Sequence, residues 1–285
     1  MTDPAQTDPS SPLDRVRQAP GERLFRLDGR VAFVSGAAGY LGRAMVSALA
    51  EAGAHVVLNG RREETLAPVR DALVERGLAA SIVAFDVRDT EAVERGFAEV
   101  AERHGRLDVL VNNAYAGPTG TVDSSTPGDF EKAYDVAVTG SFRCFQAARP
   151  LLRAAAAQAG HASVVNIASM YGWVSPDPRI YGDSGMNSPP FYGAAKGGLL
   201  QLTRYLAAHA ASESIRVNAV SPGPFPPERV RTADEDFHAK LRNKVPLGRV
   251  GEADELKGAL LFLASDASTF VTGINLPVDG GWTAW

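Results

Sequence analysis

A short apolar run, Val31-Ala32-Phe33-Val34, is followed at once by Ser35-Gly36-Ala37-Ala38-Gly39-Tyr40-Leu41-Gly42 and then by helical periodicity over residues 43–52. This order constrains the fold more than any other feature. A buried strand that turns through glycines into a helix brings backbone amides to the helix N-terminus. The missing Cβ atoms let the chain turn sharply and let a pyrophosphate come close. The bland alternative is a plain strand–helix turn, and its position straight after the first strand weighs against it.

The pattern then repeats. Apolar runs at 55–59, 80–85, 107–111, 163–169, 215–220 and 274–278 alternate with helical stretches at 63–76, 90–104, 130–152, 194–211 and 252–264. Pro150 is expected to end or kink the long fourth helix. Crossovers of this length predict an α/β fold, a doubly wound parallel sheet with helices on both faces. With 285 residues and 45% hydrophobic content, one core suffices and no second domain or repeat is visible. Residues 1–24, rich in proline and small polar residues, are expected to form a disordered tail ahead of a single domain at 25–285. Net charge is −4 without a dense basic patch, which argues against nucleic acid. No apolar run approaches a membrane span. The lone Cys144 excludes an internal disulfide, so a reducing, cytoplasmic setting is expected; no His/Cys cluster points to a metal.

The chemistry concentrates at strand ends. The second strand closes on Asn59-Gly60-Arg61-Arg62, with no carboxylate before Glu63. An acidic residue there would bind the ribose 2′-OH of NAD(H), whereas a guanidinium matches the 2′-phosphate of NADP(H). NADP(H) is therefore favoured over NAD(H), although Arg61 and Arg62 equally fit a solvated first helical turn. Asn112-Asn113-Ala114 ends the fourth strand, in the crevice or as a brace of the sheet. Ser169 ends the fifth, either as a turn former or as a hydroxyl beside a substrate oxygen. Tyr192 and Lys196 stand four apart on a helix, hence on one face. An ammonium beside a phenol favours the anion, which predicts a lowered Tyr192 pKa and a group fit to exchange a proton with a hydroxyl or carbonyl group. Residues 170–190, with Trp173, Asp177, Arg179, Tyr181, Asp183 and Met186, show no period and are expected to form an ordered loop over the crevice or a surface or subunit contact. A proline-rich entry at 221–227 leads to a polar lid within 224–245.

Taken in order, Gly36, Gly39 and Gly42, Asp86, Asn112-Asn113-Ala114, Ser169, Tyr192-Gly193-Ala194-Ala195-Lys196, Pro222-Gly223 and Asp279-Gly280-Gly281 resemble the short-chain dehydrogenase/reductase family over residues 27–282. The resemblance implies a Rossmann-type sheet of about seven strands and hydride exchange between nicotinamide and a substrate carbon. It implies Tyr192 as general acid/base, Lys196 as its partner and holder of the nicotinamide ribose, and Ser169 as the group orienting the carbonyl. Asp86 and Val87 would face the adenine, and Asn113 and Ala114 would line the cofactor with Gly36, Gly39, Tyr40, Leu41 and Gly42. Pro222, Gly223 and Phe225 would lie near the carboxamide. It also implies a homodimer or homotetramer built on the helices near 130–152 and 191–212.

Three departures stand out. Tyr40 occupies the family's middle glycine slot, with Gly39 displaced, a spacing like that of the sugar-nucleotide branch. Tyr115 replaces the glycine after Asn-Asn-Ala and should narrow the crevice. Ala137 stands where the family carries an asparagine that supports a proton relay, and it has no polar side chain. The leading expectation is an NADP(H)-dependent ketoreductase or alcohol dehydrogenase. The rivals are an NAD-dependent polyol or sugar-acid dehydrogenase in the style of gluconate 5-dehydrogenase, a reductase or epimerase of sugar or antibiotic biosynthesis, and a catalytically weak nucleotide-binding protein. The substrate contacts expected from sequence are Tyr115, Trp173 and Arg179, the last pairing with a substrate carboxylate or with Asp177 or Asp183.

Overall fold

The structure, a computed structural model, describes residues 16, 19–117, 119–182, 187–232 and 234–285. Seven strands form one sheet: β1 Val31–Val34, β2 His55–Leu58, β3 Ala80–Ile82, β4 Val109–Asn112, β5 Ala162–Ile167, β6 Ile215–Pro222 and β7 Asn275–Val278. Their order is β3-β2-β1-β4-β5-β6-β7, and every pair is parallel. The sheet is the doubly wound, Rossmann-like arrangement read from the sequence.

Side-chain alternation in β1 shows how both faces are filled. Val31 and Phe33 point to one face, Ala32 and Val34 to the other. On the first face they meet helices α3 (Thr90–His104), α5 (Gly140–Ala159) and α6 (Pro190–Ala210), through Phe97, Phe145, Leu152 and Leu206. On the second they meet α1 (Tyr40–Glu51), α2 (Glu63–Glu75) and α9 (Leu256–Ala264), through Met45, Leu49, Leu66 and Leu260. Consecutive strands swing to opposite sides of β1, so the carboxyl ends of β1 and β4 part there. That switch point opens a crevice.

Several boundaries differ from the sequence reading. The cap of α3 is Asp89, whose carboxylate accepts from Ala92 N. The expected helix at 130–152 is three pieces: α4 (Pro127–Tyr134), a π-helical turn at Asp135–Thr139, and α5, which runs through Pro150 to Ala159. A π turn adds one residue to a helical turn and leaves no trace in hydrophobic periodicity. Of the tail expected at 1–24, Gly21–Phe25 is a 3-10 helix, and residues 1–15 lie outside the described residues. Leu27 anchors the chain just after it, fully buried with its N–H on Ala52 O.

The aperiodic 170–190 stretch carries two 3-10 turns, Met170–Gly172 and Pro178–Ile180; Asp183 and Met186 fall outside the described residues. The 224–245 segment folds into α7 (Glu228–Arg231) and α8 (Glu235–Lys244). The two regions clasp each other. Tyr181 stacks on Phe237 at 5.7 Å, Lys244 Nζ reaches Asp177 at 2.7 Å, and Ile180, Leu241, Val245 and Trp282 share a small apolar cluster. Among the described residues, no helix is long and apolar enough to cross a membrane.

Phe33 lies at the centre of the larger core, fully buried against Phe85 and Phe97. Phe33→Ala is expected to lower unfolding free energy by about 3–5 kcal/mol, measured by urea denaturation. A loss below about 1 kcal/mol would contradict that packing.

Candidate active site

A cavity of about 540 Å³ sits over the switch point, and its floor is the glycine turn. Gly36 has φ +65°, a left-handed conformation that suits glycine. A Cβ there would meet Ala114 Cα and Asn113 Nδ2 at 3.0 Å, and one at Gly42 would meet Gly36 O at 2.2 Å. The turn is thus closed on itself, with no room for a side chain at positions 36 and 42. Helix α1 begins directly after it at the cavity edge, with no side chain capping its first amides. Free amides at a helix N-terminus suit an anion.

Ser35 and Asn113 hold this floor to the neighbouring strand. Ser35 Oγ accepts from Asn113 N and Ala114 N, each at 3.0 Å, and donates to Val111 O. Asn113 Nδ2 donates to Ser35 O and Gly36 O. Of the two roles open to Asn113 in the sequence, its amide is engaged as a brace while the residue also lines the cavity.

At the far end, Asn59, Gly60, Arg61, Asp86, Val87 and Arg88 form the wall. Asn59 is buried and donates to Val83 O and Phe85 O, joining the ends of β2 and β3. Arg61 lies near enough to Asp86 to lower its carboxyl pKa, an effect led by the Arg88–Asp86 pair at 2.7 Å. Two guanidinium groups therefore line this wall, but not the two adjacent ones of the sequence. Arg62 becomes the N-cap residue of α2 and stands exposed outside the cavity lining. Arg88, two residues beyond Asp86, takes the second place. Its signal lay in the loop after β3, where position alone does not reveal which side chain turns inward.

Ser169, Tyr192 and Lys196 meet at the other end, with Pro222, Gly223 and Phe225 facing them across the cavity. Ser169 lies two residues past β5, in extended backbone at the start of the 3-10 turn, and Tyr171 N donates to its hydroxyl at 3.2 Å. The first turn of α6 presents Tyr192, and the next presents Lys196 on the same face. Lys196 is 4% exposed and its Nζ donates to Ile167 O at 2.6 Å. Burial pushes its pKa down to about 8. Tyr192 is pushed up by burial, with the Ser169 hydroxyl pulling the other way. The expectation that Lys196 lowers the phenol pKa is thus not met in the free chain. The ammonium is turned to the Ile167 carbonyl and lies 5.8 Å from the centre of the Tyr192 ring, so desolvation dominates.

Of the three residues expected to touch substrate, one lines the cavity and two do not. Tyr115 lines the cavity, its ring edge-on to Tyr192 at 4.9 Å. Trp173 is half exposed and does not line the cavity. The Arg179 side chain is 86% exposed and pairs with Asp177 at 2.7 Å, so it is turned to solvent on the outer side of the loop. Tyr40 does line the cavity, and its hydroxyl accepts from Arg231 Nη2 at 3.2 Å, linking the glycine turn to α7. Ala137 lies buried in the π turn, its carbonyl accepting from Ser141 Oγ at 2.7 Å, while Val136 of the same turn reaches the cavity. Among the described residues no group of His, Cys, Asp or Glu is arranged to hold a metal.

Residues 36–283 match the family described as enoyl-(acyl carrier protein) reductase. The chain is 35% identical over 263 residues to the gluconate 5-dehydrogenase of Gluconobacter oxydans strain 621H, covering 91% of this chain and 97% of that one. The crystal structure of a gluconate 5-dehydrogenase from Burkholderia cenocepacia J2315 in complex with NADP and tartrate superposes with a TM-score of 0.83 at 35% identity, over 92% of this chain and 98% of that one. A short-chain type dehydrogenase/reductase from Mycobacterium marinum superposes equally well, TM-score 0.83 at 31% identity, over 93% and 99%.

The closeness of the glycine turn makes a clean test. Gly42→Ala is expected to cost about 1–3 kcal/mol or more, because its Cβ strikes backbone. Gly258→Ala, in a helix with open space around it, is expected to stabilise by about 0.5–1 kcal/mol. Thermal midpoints that move the same way in both variants would contradict the geometry.

Proposed function

The chain belongs to the short-chain dehydrogenase/reductase family, and from that premise we propose that it is an NADP(H)-linked oxidoreductase acting on a carbonyl or secondary alcohol. The observation that carries this reading is the meeting of Ser169, Tyr192 and Lys196 at one end of the cavity whose floor is the glycine turn. The residues present fit a dinucleotide: uncapped amides and a side-chain-free cradle for the pyrophosphate, and Arg61 with Arg88 at the opposite end for a 2′-phosphate. The NADP complex of the Burkholderia cenocepacia structure supports the same assignment. The bound nicotinamide would supply or accept the hydride.

This chain's own groups handle the proton and the carbonyl oxygen. The Ser169 hydroxyl holds the oxygen and orients the carbon toward the cavity interior. Tyr192, kept protonated by burial at neutral pH, gives its proton to the oxygen as negative charge builds there. Lys196, a cation beneath the phenol, stabilises the tyrosinate left behind. A phenol with a raised pKa is a better acid than base near neutrality. Acting as the base in oxidation requires the deprotonated phenol, so the oxidation rate should gain as pH rises.

The gluconate 5-dehydrogenase relatives place sugar acids and polyols first in a substrate panel. The same reading carries a homodimer or homotetramer on α5 and α6, where Tyr205 stands exposed.

Tyr192→Phe is expected to lower kcat by orders of magnitude with cofactor binding little changed; unaltered turnover would end the mechanism. Arg61→Ala is expected to lower kcat/KM with NADPH about tenfold to a hundredfold and leave NADH values nearly unchanged. Equal losses with both cofactors would reject the phosphate assignment.

A further inference from the structure

We propose that Tyr115 is a positioning residue whose ring, laid against Lys196 and edge-on to Tyr192, holds the lysine ammonium in place as a cation within an apolar wall. The inference rests on the roles given above to Tyr192 and Lys196.

Lys196 presents three N–H donors, and the structure gives its Nζ one protein acceptor, Ile167 O. No carboxylate pairs with it among the described residues, and burial is what acts on its pKa. Two aromatic rings face the ammonium instead. The Tyr115 ring centre is 5.3 Å from Nζ and the Tyr192 ring centre 5.8 Å, both within range of a cation–π attraction. The surrounding elements offer little else. Its own helix brings Tyr192, and the end of β5 brings Ser169 and the Ile167 carbonyl. The 3-10 turn after β5 brings Tyr171, a buried phenol pushed up chiefly by burial and in smaller part by Tyr181 and Tyr192. The π turn contributes Ala137 and Val138, both apolar.

What keeps Tyr115 there is its ring. It packs against the cluster of Ala133, Ala137, Phe191, Ala195 and Leu199. Its hydroxyl is buried with no hydrogen-bond partner among the described residues. An orphaned hydroxyl destabilises, so the group serving the site is the aromatic face.

The test titrates Lys196 by NMR in ligand-free protein carrying ¹³C-labelled lysine, for the native chain, Tyr115→Leu and Tyr115→Phe. Leucine keeps an apolar, smaller side chain and removes the π face; phenylalanine keeps the face and removes the hydroxyl. The Lys196 pKa is expected to fall by roughly one pH unit in Tyr115→Leu and to stay at the native value in Tyr115→Phe, with a thermal midpoint equal to or above native. A value unmoved in Tyr115→Leu, or moved equally in both variants, overturns the proposal. Should Tyr115→Leu fail to fold, Tyr115→Met replaces it with the same expectation. The titration needs neither cofactor nor substrate. Absence of turnover in the native chain would overturn the oxidoreductase reading alone, and the titration would still decide the role of Tyr115.

Discussion

Everything at the site depends on how β1 and β4 are tied where their carboxyl ends part. The tie is one hydroxyl. Ser35 Oγ takes the amides of Asn113 and Ala114 and gives its proton to Val111 O, while Asn113 Nδ2 returns to Ser35 O and Gly36 O. These bonds give the Asn113 and Ala114 amides a partner just past the end of β4. They also bring Ala114 against Gly36, so the turn must be glycine and the cradle must be bare. The tie sets the position of Tyr115 as well, since that residue follows Ala114 directly. One knot thus fixes both the floor of the cavity and the ring that lies beside Lys196.

The second governing effect is burial without charge compensation. Lys196 and Tyr192 sit where water is scarce, and both are driven toward neutrality, the lysine downward and the tyrosine upward. The pair is therefore poised as neutral phenol and marginal cation rather than as tyrosinate and stable ammonium. The Ser169 hydroxyl, the Ile167 carbonyl and the aromatic faces are the groups that offset this. A developing alkoxide brought between Ser169 and Tyr192 changes the balance, because it gives the cation a negative partner in a low-dielectric site.

Much of this was legible in the sequence, and the reasons are local. The glycine turn follows its strand in the chain, and Tyr192 and Lys196 stand one helical turn apart, so spacing alone puts each set together. Strand count and parallel order followed from periodicity and crossover length. What was not legible needed tertiary placement. Whether Arg62 or Arg88 turns inward depends on where α2 starts and how the β3 loop folds. Trp173 and Arg179 face outward because the loop carrying them docks on α8 through Tyr181 and Asp177. The π turn that buries Ala137 and aims Val136 at the cavity has no compositional signature. The direction of the Tyr192 shift depends on where the lysine nitrogen points, and a spacing of four cannot reveal that.

The clasp between the inserted loop and α8, and the link from Arg231 to Tyr40, join the outer segments to the cradle. They make these outer segments a continuation of the fold rather than an appendage. The most direct test of the central claim is isotope transfer: the native chain is incubated with 4-deuterated NADPH and a carbonyl substrate from the sugar-acid or polyol series. Deuterium at the new carbinol carbon, delivered from one face of the nicotinamide only, is the predicted result. Product without deuterium at that carbon, or no product across the panel, would contradict it.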